Sequence, residues 1–294
     1  MHIAIYGRLI KKDALPYVQQ MFDELYARKI SSYIHEDYYP HLINNIQFRE
    51  QPVLFNERNL DVIARLDYIF SLGGDGTLLD TMTIVRNTNI PVVGINIGRL
   101  GFLANVGKDE IVSVLDALEK GAVTHDPRTL IHLDSNVPGL FGEAPFALNE
   151  FTIHKKDSSA MIVIHTYING EFLMSYWADG LIVSTPTGST GYSLSCGGPI
   201  IFPGSENFVI TPVAPHNLNI RPIVVSDNSV ISFEIEGRSD HFLVTLDSRY
   251  ESVDSSIQLA VRKEDFTVTL IRPNEQHFLD TLRNKLSLGL DQRN

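Results

Sequence analysis

The sequence has little cysteine and no long apolar run, and each shortage excludes a class of protein. Its 294 residues include a single cysteine, Cys196, so no disulfide can form within the chain and a reducing compartment is expected. No apolar stretch approaches the roughly 20 residues of a membrane-spanning helix. The start, Met1 to Ala4, lacks the basic and apolar regions of a signal peptide. We therefore expect a cytoplasmic protein with no membrane partner.

Positive charge is also in short supply. The chain has 24 Lys and Arg against 35 Asp and Glu, a net charge of −11. Because affinity for nucleic acid depends on Lys and Arg neutralising phosphates, no nucleic-acid partner is expected. Any phosphate ligand must instead be held by local donors or by a cation. Hydrophobic residues make up 44% and charged residues 20%, which predicts a globular chain with a sizeable core.

Three glycines surround an acid in one turn, Gly73-Gly74-Asp75-Gly76-Thr77. It follows the apolar run Tyr68–Leu72 and precedes a helical pattern. Backbone N–H groups at such a strand-to-helix turn suit a phosphate, and glycines let a ligand approach closely. An acid among these donors needs a role, such as accepting a proton or holding a metal ion. The alternative is an ordinary turn, since Gly and Asp are common there. No Gly-Lys-Ser/Thr follows, and the spacing is not Gly-x-Gly-x-x-Gly.

Residues 1–127 alternate between strand-like and helix-like segments. This rhythm predicts an α/β domain with a parallel sheet. Ligands of such sheets bind beyond the carboxyl ends of the strands, where the Gly73–Thr77 turn falls. That position favours a functional role for Asp75.

Residues 128–271 have a different rhythm and predict an antiparallel, sandwich-like β domain. Asn169-Gly170 between two alternating runs predicts a tight hairpin. Residues 272–294 are expected to form a helical segment that packs back onto the protein. The runs typical of strands are Leu130–Leu133, Phe146–His154, Met161–Ile168, Glu171–Trp177, Gly180–Ser184, Val209–Val213, Val230–Ile235, Phe242–Leu246, Ile257–Val261 and Thr267–Ile271.

Two polar positions interrupt this β domain. Asn149-Glu150 breaks the alternation of the predicted strand Phe146–His154, so one of the two side chains should face the core, where a carboxylate is costly. The alternative is an edge strand on which both are solvated.

Further on, Trp177–Ser195 contains a run of hydroxyl residues and glycines that predicts a long loop, and such loops are usually functional. Asp179 could accept a ribose hydroxyl there, Tyr192 could border a base, and Trp177 should share a face with Asp179.

In this order, Gly73–Thr77, Asn149-Glu150, Asp179-Gly180 and Thr185–Tyr192 resemble the NAD kinase family. The resemblance extends over most of the chain. The Gly-Gly-Asp-Gly element is shared with the diacylglycerol and sphingoid lipid kinases, whereas the Thr/Gly/Ser loop is far more specific.

The resemblance implies transfer of the γ-phosphoryl group of ATP to the 2′-hydroxyl of the adenosine ribose of NAD. It implies a divalent cation, usually Mg²⁺, and a homodimer or homotetramer. No Cys/His cluster with metal-ligand spacing is present, so the cation is expected to arrive with the nucleotide. Asp75 would be the general base, with Gly76 beside it. The implied NAD-binding residues are Asp75, Gly76, Asn149, Glu150, Asp179, Thr190, Gly191, Tyr192, Ser193, Leu194 and Ser195. Phosphate contacts are expected from Gly73, Gly74, Thr77, Arg99 and His216.

Two other functions share part of this pattern. One is a lipid kinase of the same superfamily, against which the hydroxyl-rich loop and the absence of a membrane-anchoring amphipathic segment count. The other is a nucleotide-sensing module without turnover, which the presence of Asp75 disfavours. An assay for NADP formed from Mg²⁺-ATP and NAD separates these possibilities.

Overall fold

The computed structural model describes residues 1–98, 101–156, 161–239, 241–273 and 278–286. They form two compact units. The first unit contains Met1–Pro127 and the chain from Val268 onward, and the second contains Arg128–Thr267. In the described part of the chain, no helix is long and apolar enough to cross a membrane.

The strands are named in chain order. They are β1 (His2–Gly7), β2 (Ser31–His35), β3 (Val53–Phe55), β4 (Tyr68–Gly73), β5 (Val92–Asn96), β6 (Val106–Gly107), β7 (Val123–Arg128), β8 (Ile131–Ser135), β9 (Phe146–Ala147), β10 (Glu150–Lys155), β11 (Ile162–Ile168), β12 (Glu171–Ala178), β13 (Gly180–Ser184), β14 (Asn207–Val213), β15 (Ile223–Ser226), β16 (Ile231–Glu236), β17 (His241–Leu246), β18 (Arg249–Asp254), β19 (Leu259–Lys263) and β20 (Val268–Pro273).

The α-helices are α1 (Leu15–Ala27), α2 (Tyr39–Leu42), α3 (Leu60–Ile63), α4 (Asp75–Val85), α5 (Ile111–Glu119), α6 (Tyr192–Ser195) and α7 (Phe278–Leu286). Apolar residues at helical spacing bury one face of the longer helices, as in α1, where Val18, Met21, Phe22 and Leu25 are buried. In α7, Leu282 is buried.

The first unit is built on a sheet with the strand order β3-β2-β1-β4-β5-β20-β7, with β6 beside β5. The pairings β1–β2, β1–β4, β2–β3, β4–β5 and β5–β20 are parallel. The strand order reverses between β1 and β4, and such a reversal is where open parallel sheets bind ligands, at the carboxyl ends of the strands. The Gly-Gly-Asp-Gly turn therefore follows β4 at the expected binding edge.

The second unit is an antiparallel β sandwich. One sheet has the order β15-β14-β13-β10-β17-β18 and the other β12-β11-β16-β19-β8-β9. Inward side chains of both sheets form one hydrophobic cluster that includes Phe151, Phe233 and Phe242. Asn169 and Gly170 both have positive φ, 51° and 82°, as the predicted hairpin turn requires.

The predicted fold class is confirmed: a parallel α/β region, an antiparallel β region and a C-terminal helix. Two details differ from the sequence analysis. Of the run expected to end the β domain, Thr267–Ile271, all but Thr267 belongs instead to the first unit, because β20 pairs in parallel with β5 through Leu270 and Val92. The single strand expected over Phe146–His154 is interrupted at Leu148 and Asn149, whose N–H groups donate to a side chain, that of Asp247.

Candidate active site

In the first unit, Asp75 begins α4 directly after β4. Gly74 precedes it in an extended conformation, with φ −100° and ψ −168°, and gives the helix an N-terminus without a side-chain cap. The first N–H groups of a helix have no intrahelical partner, and the helix dipole adds partial positive charge there. The start of α4 therefore suits an anionic ligand.

Three backbone N–H groups hold the carboxylate of Asp75. Phe102 donates to Oδ2 at 2.8 Å, while Leu103 and Ala104 donate to Oδ1 at 3.0 and 2.9 Å. A Cβ added to Gly101 would lie 1.8 Å from Asp75 Oδ1, so only glycine fits there. A carboxylate has about four acceptor positions, and three are occupied. One further donor can still reach this fixed group.

The residues of the Gly73–Thr77 turn differ in how accessible they are to a ligand. Gly74 and Gly76 are exposed, and a Cβ added to either would meet nothing within 4 Å. Gly73 is buried, and a Cβ on it would lie 2.1 Å from Thr77 Oγ1. Thr77 is itself buried, with 6% of its surface exposed. The expected phosphate contacts are thus sterically open at Gly74 and Gly76, whereas Gly73 and Thr77 pack against each other. Arg99, the other expected phosphate contact in this unit, lies outside the described residues.

In the second unit, the backbone of residues 148–150 is bonded from two directions. The N–H groups of Leu148, Asn149 and Glu150 donate to the Asp247 carboxylate at 2.9, 2.7 and 3.2 Å. The carbonyls of Leu148 and Asn149 accept from the Thr185 hydroxyl and N–H, at 2.6 and 2.9 Å. The Glu150 carbonyl accepts from the Asp247 N–H at 3.0 Å. All six backbone groups are satisfied, so this short break between β9 and β10 is fixed.

The side chains of that break contain two buried atoms without a partner. Among the described residues, neither Asn149 Oδ1 nor Glu150 Oε2 has a hydrogen-bond partner. Burial, with a smaller contribution from the charge of Asp247, raises the pKa of Glu150 to about 8. Buried polar atoms are usually paired, so these two are candidate contacts for a ligand.

The hydroxyl-rich segment is more compact than the long loop that we expected. It forms a 3-10 turn, Gly188–Thr190, followed by α6. Most of its hydroxyls are used internally: Ser189 bonds to Pro186 O and Ile201 O, and buried Ser193 bonds to Thr211 at 2.8 Å. Of the predicted NAD contacts in this segment, Gly191, Tyr192 and Ser195 are exposed, Thr190 and Leu194 are partly buried, and the Ser193 side chain faces inward.

The segment is locked against the Asn149-Glu150 break by a close backbone approach. A Cβ added to Gly188 would lie 2.1 Å from the Asn149 carbonyl oxygen, so the position requires glycine. A Cβ on Gly191 would lie 3.5 Å from Glu150 Oε2. The structure therefore brings together Asn149, Glu150 and the Thr190–Tyr192 stretch, which are far apart in the sequence.

Asp179 lies near the same group. Its Oδ1 forms an ion pair with Lys155 Nζ at 2.6 Å. Burial is the main cause of the raised pKa of Tyr192, and the charges of Asp179 and Glu150 also contribute. His154 stacks on Tyr192, with ring centroids 5.6 Å apart and an angle of 17° between the planes. Burial lowers the pKa of His154.

Two residues of this group were not found from the sequence, His154 and Asp247. His154 sits in an apolar strand, where a lone histidine carries no signal of its own. Asp247 is 97 to 99 residues from the N–H groups that it accepts, and no local pattern marks such a contact.

Trp177 and His216 lie on the surface of the second unit. Trp177 is 52% exposed on β12, two residues before Asp179, so it is not a core residue. His216 is exposed, and its N–H donates to the Trp177 carbonyl at 2.8 Å. His216 thus lies beside the strand that leads to Asp179. Within the described ranges, no group of three or more His, Cys, Asp or Glu side chains could hold a metal ion.

Known proteins resemble this chain over its whole length. Residues 3–123 match the ATP-NAD kinase N-terminal domain and residues 148–272 the ATP-NAD kinase C-terminal domain. The chain is 51% identical to an NAD kinase of Cytophaga hutchinsonii and 44% identical to one of Flavobacterium psychrophilum, covering 100% of both chains in each comparison.

Two solved structures share the fold. Yeast NADH kinase complexed with NADH superposes with a TM-score of 0.89 at 22% identity, over 99% of this chain and 88% of the yeast chain. An NAD kinase from Archaeoglobus fulgidus in complex with ATP gives a TM-score of 0.74 at 26% identity, over 98% of this chain and 100% of the other.

A parallel sheet with an acid at a helix start, followed by a β sandwich with a glycine-locked, hydroxyl-rich segment, is typical of a nucleotide-binding protein. The family matches and the full-length relatives narrow this class. The chain belongs to the NAD kinase family.

Proposed function

We propose that this enzyme transfers the γ-phosphoryl group of ATP to the 2′-hydroxyl of the adenosine ribose of NAD, giving NADP and ADP. Family membership at 51% identity over the full chain supports the reaction. The observation that carries the proposal within the structure is the pair of buried, unpartnered atoms, Asn149 Oδ1 and Glu150 Oε2, beside the Thr190–Tyr192 stretch. They offer hydrogen bonds to a ligand that the fold itself does not use.

Asp75 is the proposed general base. A ribose hydroxyl has a pKa far above neutral, so its proton must leave as the bond from its oxygen to the γ-phosphorus forms. The proton passes to the Asp75 carboxylate, while the bond between the γ-phosphorus and the bridging oxygen breaks and ADP departs. The three N–H groups from residues 102–104 orient the carboxylate and leave an acceptor position for this donor.

The remaining residues bind and orient the substrates. In the first unit, Gly74 and Gly76 present open backbone at the start of α4, which suits phosphate oxygens. In the second unit, Asn149, Glu150, Asp179 and the backbone of Thr190–Ser195 hold NAD, with Tyr192 against a ring of the dinucleotide. Lys155 fixes the Asp179 carboxylate at 2.6 Å, which leaves Oδ2 for a ribose hydroxyl.

The divalent cation enters as part of the substrate Mg²⁺-ATP. Phosphate oxygens are hard ligands that Mg²⁺ prefers, and the ion neutralises the charge that develops on the transferred group. We further propose that the enzyme works in the cytoplasm, where its substrates occur and its single cysteine stays reduced. It is also proposed to form a homodimer or homotetramer. The edge strand β12, which carries exposed Phe172 and Trp177, is one surface that association would cover.

The reaction is tested by incubating the purified protein with Mg²⁺-ATP and NAD and measuring NADP with an NADP-specific dehydrogenase. Phosphorus NMR of the product should show a phosphate monoester on the 2′-oxygen. Diacylglycerol in mixed micelles serves as the competing acceptor. Phosphorylated lipid without NADP would indicate the lipid kinase activity, and NAD binding without product would indicate a sensing module.

A further inference from the structure

Asp247 lies in the turn between β17 and β18, and the proposed reaction assigns no role to its carboxylate. Its φ of 54° is in the left-handed region, which a non-glycine residue seldom adopts. Four hydrogen bonds join it to the Asn149-Glu150 break: three N–H groups donate to its carboxylate, and its own N–H donates to Glu150. These four hydrogen bonds hold the unusual backbone conformation of Asp247 in place.

Asp247 also acts on the charge of the group that it anchors. Its carboxylate accepts the backbone N–H of Glu150 at 3.2 Å, and its negative charge adds to burial, the larger cause, in raising the pKa of Glu150. A negative charge nearby disfavours ionisation of a second acid, so the charge of Asp247 favours the protonated form of Glu150. Burial raises the pKa of both acids; for Asp247 three N–H bonds and the charge of Arg249 partly offset that rise, whereas nothing offsets it for Glu150.

The other groups around Glu150 do not reverse this assignment. Ser184 is its neutral partner on β13, and Tyr192 of α6 is near enough for the charge of Glu150 to contribute to its raised pKa. The nearest cation of β10, Lys155, is paired with Asp179. Three N–H groups donate to Asp247, which favours its ionised form, whereas Glu150 Oε2 is buried without a donor, which favours the protonated form of Glu150.

We propose that Asp247 is a positioning residue of the NAD site: it fixes the backbone of residues 148–150, and its charge adds to the burial that keeps Glu150 protonated, so that Glu150 meets the dinucleotide as a hydrogen-bond donor. The nature of the ligand rests on the proposed function. A neutral acid can donate to a ring nitrogen or an oxygen of NAD, and it avoids repulsion of the anionic diphosphate, which a second carboxylate would repel.

Carbon-13 NMR of protein labelled at the glutamate side-chain carboxyl tests the protonation directly. One signal, absent from Glu150→Gln, should titrate with a midpoint well above those of the other glutamates. In Asp247→Asn that midpoint should fall, because a like charge has been removed, but should stay above those of exposed glutamates, because the burial remains. Asp254→Asn is the matched control, since Asp254 also accepts an N–H, from Ser256 at 2.8 Å, but is exposed. It should leave the Glu150 signal unchanged.

Calorimetry with NAD between pH 6 and 9 tests whether the protonated form of Glu150 is the one that binds NAD. Wild-type affinity should fall about tenfold or more as Glu150 ionises, while Glu150→Gln, a neutral donor of the same shape, should bind with little pH dependence. A Glu150 midpoint in the ordinary glutamate range, or the same pH dependence in Glu150→Gln as in wild type, would overturn the proposal.

Each negative result would refute a different part of the proposal. If Asp247→Asn is folded by circular dichroism and leaves the Glu150 midpoint in place, the role of Asp247 is wrong. If Asp247→Asn does not fold, the wild-type and Glu150→Gln titrations still decide the protonation of Glu150. If the wild type forms no NADP, the proposed function fails, and the NMR midpoint is read independently of it.

Discussion

At the scale of single residues, the Asp75 carboxylate combines two tasks that usually conflict. It is bound by three N–H groups, which fixes its position, and it is proposed to take a proton from a substrate hydroxyl. A base held in this way has little freedom to reorient, so its reach is set by the loop that binds it. The proposal thus makes catalysis depend on residues 101–104 as well as on Asp75.

Replacing Asp75 with Asn should separate binding from turnover. We expect kcat to fall by about 10²–10⁴, the usual loss for a general base, while the dissociation constant for NAD from calorimetry changes by only a few-fold. Asp61→Asn is a matched control, because Asp61 also lies in the first turn of a helix, α3, and is exposed. Near wild-type kcat for Asp75→Asn would refute the role of base.

Asp179 offers a second single-residue test, with Trp177 as reporter. Because Trp177 is half-exposed and two residues from Asp179, NAD binding should change its emission saturably. Asp179→Ala should weaken NAD binding by about 1.5–3 kcal/mol, the value of one hydrogen bond to a charged group. A fluorescence titration corrected for nucleotide absorption, run beside calorimetry, measures both effects.

The control for this variant removes another paired carboxylate. Asp134 of the second unit is bound to Arg262 at 3.0 Å, and Asp134→Ala should leave NAD affinity unchanged. If Asp179→Ala binds NAD as tightly as the wild type, the ribose contact is wrong. If the wild type binds without an emission change, only the position of Trp177 relative to the ligand has to be revised.

At the scale of elements, glycines hold each candidate group in place by close approach. Gly101 lies against Asp75, and Gly188 lies against the Asn149 backbone. These glycines are required by space rather than by a left-handed φ, since neither has a positive φ. Their role is to let a loop touch the strand or helix end that carries the functional side chain.

Gly101→Ala tests this close approach. The added methyl group would collide with Asp75 Oδ1 and displace either the carboxylate or the loop, and a misplacement of about 1 Å can cost about 10²-fold in rate. Gly98→Ala adds the same group where the nearest atom, Asn96 Oδ1, is 3.8 Å away, so it should cost much less. Steady-state kinetics and thermal unfolding of both variants provide the comparison, and equal kcat values would show that Asp75 tolerates the collision.

The sequence predicted elements far better than it predicted their contacts. Alternation and helical spacing indicated the parallel region, the β region and the terminal helix, because each pattern is local. The interruption at Leu148 and Asn149 was not predictable, since it arises from hydrogen bonds to Asp247, about a hundred residues away. The hydroxyl-rich segment was recognised, but its internal bonding was not, because a composition of Ser, Thr and Gly is typical of both open loops and packed turns.

At the scale of the whole molecule, net charge works against the proposed substrates. ATP and NAD are anions, and the chain carries a net charge of −11. The net charge of the protein therefore does not attract these substrates from a distance. Binding must depend on local N–H groups and on a cation that arrives with the nucleotide. This argument leads to a prediction about metal removal.

Chelation should abolish activity and leave the fold intact. With excess EDTA, NADP formation from ATP and NAD should fall to background, since phosphoryl transfer needs the ion to neutralise phosphate charge. Circular dichroism and the thermal midpoint of the protein alone should not change, because the ion is proposed to enter with ATP. Restoring Mg²⁺ should restore the rate, and unfolding on chelation would instead point to a structural metal.

The raised pKa of Glu150 predicts how global stability changes with pH. Glutamate in the unfolded chain ionises near pH 4.5, whereas in the folded protein burial and Asp247 raise the pKa of Glu150 to about 8. Between these values the folded protein holds a proton that the unfolded chain has lost, so this group makes stability fall as pH rises. Below the lower value both states are protonated and above the upper value both are ionised, so the contribution is constant in both ranges.

Replacing Glu150 with Gln removes this contribution, because the amide stays neutral at every pH. The stability of the variant relative to the wild type should therefore increase steadily from about pH 5 to about pH 8 and then level off. Thermal or urea unfolding of both proteins across this range measures the difference, in which all other titrating groups cancel. Glu171→Gln is the control, since Glu171 is exposed at the start of β12, and it should give a difference that does not grow with pH. A flat difference for Glu150→Gln would mean that Glu150 ionises in the folded protein as it does in the unfolded chain.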